Sequence, residues 1–203
     1  MKGKFITFEG SEGCGKSTQS KLLYLFLKNK GYKVIYLREP GTTQISEKIR
    51  KILLDSQNAS MSPGCELLLY MAARTQLVEE IIKPALSKAK IVICDRFLDS
   101  TIAYQGYGLG ESIKFIKAVG RFATQGIKPD LTIFLSLPFK KGLALCGRSK
   151  DRIEKRPLAY HLRVRCGYLK LAHLEPKRIK IVKVADDKNK TQENIRKLIL
   201  KLL

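Results

Sequence analysis

Near its amino terminus the chain carries the stretch Phe5-Ile6-Thr7-Phe8-Glu9-Gly10-Ser11-Glu12-Gly13-Cys14-Gly15-Lys16-Ser17-Thr18. Its first four residues predict a short β-strand, and the octet from Gly10 to Ser17 fits the phosphate-binding pattern of glycine, four residues, glycine, lysine and serine or threonine. The glycines let successive backbone N–H groups face a phosphate, and the helix predicted to follow adds the positive end of its dipole. We therefore expect a nucleoside di- or triphosphate here, with Lys16 on its β- and γ-phosphates and the Ser17 hydroxyl on Mg²⁺. The alternative is a glycine-rich turn that binds nothing, which the complete pattern disfavours.

Strands and helices alternate along the rest of the chain. Apolar runs predict strands at 5–8, 33–37, 91–94, 131–135 and 179–184, and helical periodicity predicts helices that include 22–27, 45–54, 62–81, 111–123, 157–174 and 191–203. Pro84 is expected to kink or interrupt the third of these helices. This alternation predicts an α/β fold, a three-layer arrangement of a five-stranded parallel sheet flanked by helices, in a single domain over 1–203.

The composition is that of a globular protein with a strong excess of positive charge. There are 39 Lys+Arg against 18 Asp+Glu, a formal net charge of +21, but the lysines are scattered and no nucleic-acid-binding motif accompanies them. We therefore expect anionic small molecules as ligands and no specific nucleic acid. No apolar run reaches 18 residues, which predicts no membrane span. The first strand begins near residue 5 and the five cysteines form no metal-binding spacing, so a cytoplasmic location is expected.

The phosphate loop alone leaves several protein classes open. A GTPase of this length should carry an Asn-Lys-x-Asp motif, and the nearest run, Asn189-Lys190-Thr191-Gln192, lacks the aspartate. A motor or nucleic-acid-dependent ATPase would usually need a longer chain with partner domains. These observations favour a small-molecule kinase.

Further motifs follow one another in order across nearly the whole chain. They are Gly15-Lys16-Ser17-Thr18-Gln19, Arg38-Glu39-Pro40-Gly41-Thr42, Tyr70-Met71-Ala72-Ala73-Arg74-Thr75-Gln76, Asp95-Arg96-Phe97, Ser100-Thr101, Ala103-Tyr104-Gln105-Gly106, Pro129-Asp130-Leu131-Thr132 and Asp151-Arg152-Ile153-Glu154. With them the chain resembles the thymidylate kinases, which phosphorylate dTMP to dTDP with ATP. The resemblance implies a P-loop kinase fold with a short mobile lid, ATP and dTMP as substrates, Mg²⁺ as cofactor, and a homodimer.

The ends of the strands supply the predicted phosphate and metal ligands. Asp95 ends an apolar strand beside the phosphate loop, where its carboxylate can hold Mg²⁺, although such a residue can also cap a turn. Arg38 and Arg96 follow two strands at the same sheet edge and suit the acceptor phosphate, with surface ion pairs as the alternative. By resemblance Glu12 lies between the two phosphates; a solvated loop carboxylate is the other interpretation.

The resemblance also implies a pocket for the base. Tyr70 falls where an aromatic side chain stacks on thymine, and Arg74, one helical turn later and so on the same face, where a thymine carbonyl is bound. Thr101 and Gln105 fall near the ring, and Tyr104 beneath the deoxyribose. Tyr70 and Tyr104 could instead be ordinary core aromatics. The predicted ATP-binding residues are Gly10, Ser11, Glu12, Gly13, Cys14, Gly15, Lys16, Ser17 and Thr18, and the predicted dTMP-binding residues are Glu12, Arg38, Tyr70, Arg74, Arg96, Thr101, Tyr104 and Gln105.

A basic stretch in 143–157 resembles the lid that closes over the ATP phosphates in this family. Ser11, Glu12 and Cys14 place no basic side chain in the phosphate loop, so by resemblance the lid supplies the catalytic cation, as in the bacterial branch. Arg148 and Arg152 are the candidates, and either could instead be a solvated lid charge. Lys16, Asp95, Arg96, Arg148 and Arg152 are thus the predicted catalytic residues. Another nucleoside monophosphate kinase, a deoxynucleoside kinase or a nucleic-acid-binding ATPase remain as alternatives.

Overall fold

A five-stranded, all-parallel sheet forms the centre of the protein, which is described by a computed structural model for residues 3–138, 141–142 and 151–203. The strands are β1 (Lys4–Glu9), β2 (Val34–Arg38), β3 (Ile91–Asp95), β4 (Leu131–Ser136) and β5 (Ile179–Lys183). Their order in the sheet is β2-β3-β1-β4-β5. The five predicted strands are all present within one or two residues of their expected ends, which confirms the predicted fold class.

Eight α-helices flank the sheet in the described part of the chain. They are α1 (Lys16–Asn29), α2 (Gln44–Leu54), α3 (Pro63–Leu77), α4 (Lys83–Ser87), α5 (Leu98–Thr101), α6 (Ile113–Ala123), α7 (Leu158–Leu174) and α8 (Lys188–Leu200). Ser62 caps α3, because its hydroxyl accepts a hydrogen bond from the N–H of Cys65, and proline takes the first helical position. No helix in these residues is long and apolar enough to span a membrane.

Apolar side chains bury both faces of the sheet, which gives the three layers. On one face Ile6 and Phe8 of β1 pack with α1 and α8 through Leu23 and Ile195. On the other face Phe5 packs with the α3–α4 side of the molecule. Because side chains alternate along a strand, β1 contributes to both layers and lies at the centre of the sheet. The phosphate loop therefore starts from the central strand of the sheet.

Two helices change their hydrogen-bond pattern to π geometry. One change occupies Val78–Ile82, just before the start of α4 at Lys83 and Pro84, so α3 continues into α4 with an altered turn where a kink or an interruption was expected. The other, Ile102–Gly108, continues α5 and carries Tyr104 and Gln105. Neither α5 nor this second π segment was predicted as a helix, because the segment is buried nearly all round and shows no amphipathic period.

Candidate active site

Most of the predicted site residues line one cleft at the carboxyl edge of the sheet; of the predicted loop residues, Gly10, Ser11, Cys14, Gly15 and Thr18 do not line it. In the strand register Asp95 lies opposite both Phe8 and Arg38, so the ends of β1, β2 and β3 are level. Among the predicted residues, the cleft is lined by Glu12, Gly13, Lys16, Ser17, Arg38, Tyr70, Arg74, Asp95, Arg96, Thr101, Tyr104 and Gln105. Its volume of about 250 Å³ is slightly below the usual range for small-molecule sites, so a bound ligand would remain partly in contact with solvent. The edge is where open α/β sheets bind ligands.

The phosphate loop has the backbone conformation that its glycines predict. Gly10, Gly13 and Gly15 have φ angles of 145°, 66° and 86°, which other residues rarely adopt. A Cβ on Gly13 would lie only 1.9 Å from the carbonyl oxygen of Gly142, so the space is closed to any side chain. Lys16, the first residue of α1, is buried and its Nζ donates to the carbonyl of Ser11 at 2.6 Å. The ammonium group is thus held at the centre of the loop.

Two side chains whose oxygen atoms could bind a metal ion, Ser17 and Asp95, lie next to each other near this lysine. The Ser17 hydroxyl donates to Oδ2 of Asp95, which joins the start of α1 to the end of β3. The described residues contain no cluster of three or more histidine, cysteine, aspartate or glutamate side chains that could hold a metal on their own. A hydroxyl and one carboxylate fit Mg²⁺, because this ion commonly takes one or two protein ligands and completes its shell with phosphate oxygens and water.

Arg96 takes an unusual backbone conformation at the end of β3. Its φ is 74°, a left-handed value that is rare for a residue with a side chain and often marks a functional position. The backbone there is fixed by two hydrogen bonds, from the N–H of Arg96 to the carbonyl of Phe8 at 2.9 Å and from the N–H of Phe97 to Glu9 Oε1 at 2.8 Å. The turn directs the guanidinium into the cleft.

The Arg96 guanidinium has several partners, all at moderate distance. Nη1 donates to the carbonyl of Gly10 and to Ser100 Oγ at 3.1 Å each, and to the Tyr168 hydroxyl at 3.4 Å. Nη2 donates to Glu12 Oε1 and to the Tyr104 hydroxyl at 3.2 Å each. The group also lies 5.0 Å from the centre of the Tyr104 ring. Arg96 is therefore the point where the phosphate loop, α5 and α7 converge on the cleft.

Glu12 is an ionised carboxylate at this meeting point. It accepts a 2.5 Å hydrogen bond from the Tyr104 hydroxyl, and its Oε2 lies 3.6 Å from Nδ1 of the buried His161. Burial would raise the pKa of Glu12, but the close approach of His161 and the charges of Arg96 and Lys16 outweigh it and lower the pKa to about 2. His161 was missed by sequence reasoning; the one available signal was a polar residue within the otherwise apolar periodicity of α7.

The opposite end of the cleft contains a fully buried ion pair. Arg74 donates from Nε and Nη2 to the Glu39 carboxylate at 2.8 to 3.0 Å, and from Nη2 to Thr101 Oγ1 at 3.0 Å. Burial raises the pKa of Glu39 despite the charge and hydrogen bonds of Arg74. Tyr70 also lines the cleft, so it and Arg74 share a face of α3 as their spacing predicts. Sequence reasoning assigned no role to Glu39, although it stands inside one of the matching motifs.

Arg38 and Arg50 line the cleft near Arg96, at the end where the acceptor phosphate is expected. Arg50 was missed by the sequence reasoning. Arg38 is exposed and its Nη2 donates to Glu47 Oε1 at 2.8 Å. Arg50 of α2 lines the cleft and donates from Nη1 to the carbonyl of Pro40 at 2.9 Å. Burial and the charges of Arg38 and Arg96 lower the pKa of Arg50. Three guanidinium groups that repel one another at one end of a cleft favour an anionic ligand there.

The lid candidates have different outcomes. Arg148 lies outside the described residues, as does most of the predicted lid. Arg152 is described and does not line the cleft: it is buried, its Nε donates to the carbonyl of Leu53 at 2.9 Å, and its Nη2 lies 2.6 Å from Glu66 Oε2. A buried carboxylate on α3 thus attracts Arg152 away from the phosphate loop. The pattern of a basic lid gave no indication of this partner.

Glu66 links that arginine to the base end of the cleft. It is fully buried, accepts from Gln105 Nε2 at 2.7 Å through Oε1, and accepts from Arg156 Nη2 at 2.6 Å through Oε2. Gln105 therefore lines the cleft with its amide already engaged. A charged residue on the core face of a helix was the only sequence signal for this network.

Comparisons with known proteins agree with the geometry. The family model described as thymidylate kinase matches residues 8–195. The chain is 52% identical over 189 residues to a thymidylate kinase from Geotalea daltonii, covering 89% of this chain and 88% of that one. It is 45% identical over 204 residues to a thymidylate kinase from Thermoanaerobacter sp. (strain X514), covering 100% of both. The crystal structure of thymidylate kinase from Ehrlichia chaffeensis is similar with a TM-score of 0.82 and 32% identity, covering 98% of this chain and 100% of that one. The chain belongs to the thymidylate kinase family.

Proposed function

We propose that this protein transfers the terminal phosphoryl group of ATP to the phosphate of dTMP, which produces dTDP and ADP. One observation carries the proposal beyond family membership: a single cleft joins the phosphate loop at Lys16 to the buried Arg74–Thr101 pair, with Arg96 between them. Such a cleft accommodates a donor phosphate chain at one end and a nucleoside monophosphate at the other. The transferring group then lies over the sheet edge.

The chemistry needs alignment and charge neutralisation more than a base. The phosphate of a nucleoside monophosphate is ionised at neutral pH, so its oxygen can attack without losing a proton to the protein. Arg96 and Arg38 position that oxygen, with Arg50 beside them. Lys16 and the loop N–H groups hold the donor phosphates, so donor and acceptor are held in line. Positioning and electrostatic stabilisation supply most of the rate in phosphoryl transfer.

The metal and the lid complete the proposed charge balance. Ser17 and Asp95 would hold Mg²⁺, which neutralises charge on the donor phosphates when it is bound. Ser17 opens α1 and Asp95 closes β3, so neither ligand needs the lid for its position. The catalytic cation comes from the lid, with Arg148 as the stronger candidate, since Arg152 is occupied by Glu66 in the described arrangement.

The base end of the proposed site explains a preference for thymine. Arg74 is fixed in one orientation by Glu39, and its Nη1 also donates to the Met71 sulfur at 3.3 Å. The remaining N–H of Nη1 and the Thr101 hydroxyl therefore present a preset hydrogen-bonding edge. Tyr70 offers a ring face on the same helix. Tyr104 is buried and its hydroxyl donates to Glu12, and we expect its ring to lie beneath the deoxyribose. A ribose 2′-hydroxyl would have to displace that contact.

Assembly and location also belong to the proposal. A homodimer is supported by large apolar side chains left exposed on α3 and α6, namely Leu68, Phe115 and Phe122, the last with 78% of its surface exposed. A cytoplasmic location is supported by the free thiols of Cys65 and Cys166, both exposed, which persist best in a reducing compartment.

A coupled ADP-release assay tests the substrate assignment. The protein with ATP and Mg²⁺ is offered dTMP, dUMP, dCMP, dGMP and thymidine separately. We expect dTMP to give the highest kcat/KM and thymidine to give no release above the ATP-only control. A preference for thymidine would indicate a deoxynucleoside kinase. ADP release that requires nucleic acid and not a monophosphate would indicate an ATPase.

A further inference from the structure

Glu9 is a buried acid that the proposed mechanism has not used. It is the last residue of β1, directly before the phosphate loop, and it has no solvent exposure. It does not line the cleft, so it has no direct path to a substrate. A buried carboxylate normally costs stability unless every one of its lone pairs is occupied. The partners of this carboxylate therefore decide what its burial achieves.

The Glu9 carboxylate accepts three hydrogen bonds, one from the turn after β3, one from α5 and one from α7. Oε1 accepts from the N–H of Phe97 at 2.8 Å, which fixes the backbone just after Arg96. Oε2 accepts from the Ser100 hydroxyl at 2.5 Å and from the Tyr168 hydroxyl at 2.9 Å. All three donors belong to the immediate surroundings of Arg96.

The same two hydroxyl groups also bind the Arg96 guanidinium. Arg96 Nη1 donates to Ser100 Oγ at 3.1 Å and to the Tyr168 oxygen at 3.4 Å. A hydroxyl has one proton to donate, and an ionised carboxylate can only accept. The two hydroxyl oxygens are 2.8 Å apart, so one can donate to the other, but in either arrangement the chain of O–H groups ends on Glu9. The lone pairs of the two hydroxyl oxygens can then accept hydrogen bonds from the Arg96 guanidinium.

We infer that Glu9 is a positioning residue for Arg96: it fixes the left-handed turn at the end of β3 and orients two hydroxyl groups so that they accept from the guanidinium. The inference rests on the proposed function, because it assigns Arg96 to the acceptor phosphate. Through this arrangement the strand that starts the donor loop also orients the acceptor arginine. Glu9 thus links the loop that binds the phosphoryl donor to the arginine that binds the acceptor phosphate.

The electrostatics of Glu9 agree with a role beyond stability. Burial and the nearby charge of Asp99 raise its pKa to about 7, against the opposing effects of Ser100, Arg96 and the Phe97 N–H. Tyr168 of α7 faces the same carboxylate. The ionised form of Glu9 therefore costs the fold some stability near neutral pH while it orients the groups around it.

Glu9→Gln is the informative variant because it keeps the size and one oxygen acceptor of the side chain. Its amide N–H₂ only donates, however, so either the Phe97 N–H or the two hydroxyl groups lose their acceptor, and in both cases one support of Arg96 is lost. With saturating ATP at pH 8, we expect kcat/KM for dTMP to fall by about 10- to 100-fold. KM for ATP should stay within about twofold, because the donor loop keeps its own contacts.

Two further variants separate positioning from general damage. Asp99→Asn alters a neighbouring buried carboxylate that pairs with Arg178 at 2.6 Å, and it should lower the melting temperature without changing KM for dTMP. Tyr168→Phe removes one member of the hydroxyl pair and should lower kcat/KM for dTMP by less than Glu9→Gln does. Combined with Glu9→Gln it should add little, since both changes act through the same arginine.

The outcomes are distinguishable. A folded Glu9→Gln protein with wild-type kcat/KM for dTMP overturns the inference and leaves the proposed function standing. Equal losses for dTMP and ATP also overturn it, since they indicate damage to the whole loop. A wild-type protein that releases no ADP with any monophosphate overturns the proposed function, and the positioning role falls with it.

Discussion

The two arginine–carboxylate pairs of the cleft, Arg74–Glu39 and Arg96–Glu12, are built on opposite principles. The first pair is sealed: its side chains are 1% and 2% exposed. The Arg74 nitrogens reach oxygen partners at 2.8 to 3.0 Å. The second pair is more open, with 21% of the Arg96 side chain exposed and its contacts spread over five acceptors at 3.1 to 3.4 Å. One end of the cleft is rigid, and the other holds a cation by several replaceable contacts.

This difference matches what each end is proposed to bind. A neutral base offers only a few hydrogen bonds, so discrimination requires groups that are already fixed in position. A phosphate brings charge and several oxygens, so an arginine with long and numerous contacts can exchange some of them for the ligand without being left unpaired. Rigidity at the base end and exchangeable contacts at the phosphate end are therefore both consistent with transfer to a nucleotide.

Arg96→Ala should give the largest effect on activity. The variant loses the cation that positions the acceptor phosphate, and we expect kcat/KM for dTMP to fall by about a thousandfold or more. The melting temperature should also fall, because the buried Glu12 carboxylate loses a cation that stabilises its charged form. Steady-state ADP release and a thermal melt measure the two quantities. Near-normal turnover in a folded variant would show that another group grips the acceptor.

Arg74→Met should act on stability as well as binding. It leaves the Glu39 carboxylate buried without its cation, which costs about 3 to 5 kcal/mol for a pair of this kind. The pairing of Arg74→Met with Glu39→Gln should recover much of that stability while dTMP affinity stays low, because the hydrogen-bonding edge is still missing. Chemical denaturation and calorimetric dTMP titration provide the comparison. If the single variant is as stable as the wild type, the sealed pair is less important to folding than its burial indicates.

Glu12→Gln tests whether the open pair also supports the fold. The pKa of Glu12 is lowered from 4.5 to about 2, so its charged form stabilises the folded state above pH 4.5, and that contribution disappears as the pH falls through about 2. The variant should therefore be less stable than the wild type at pH 7, by on the order of 2 to 3 kcal/mol. Denaturant titrations at pH 7 and pH 3 should show the gap narrowing at the lower pH. A gap that stays constant with pH would assign the loss to packing.

Sequence reasoning reached the two arginines and some of their partners, such as Glu12 and Thr101, and missed the others for a physical reason. Arg74 and Arg96 stand in motifs whose spacing is local, within one helix turn or at one strand end. Their supporting groups come from distant segments: Glu39 is 35 residues from Arg74, and Tyr168 is 72 residues from Arg96. Strands were predictable because continuous apolar runs identify a buried parallel sheet. Which buried acid pairs with which cation depends on tertiary packing. Without the structure, the sequence could not show which of Glu9, Glu39 and Glu66 lies beside which site residue.

The smallest effect is expected from Glu9→Gln when stability is measured in place of activity, and its sign is opposite to that of Glu12→Gln. The pKa of Glu9 is raised from 4.5 to about 7, so the folded state binds its proton more tightly than the unfolded chain does. Its contribution to stability is fully present below pH 4.5 and is lost as the pH rises through about 7. A neutral glutamine avoids that loss, so the variant should be more stable than the wild type at pH 8 by on the order of 1 to 2 kcal/mol, and no more stable at pH 5. Melting curves of both proteins at the two pH values measure this difference. A variant that is destabilised equally at both would mean that Glu9 supports the fold, and the cost of its burial would no longer count in favour of a positioning role.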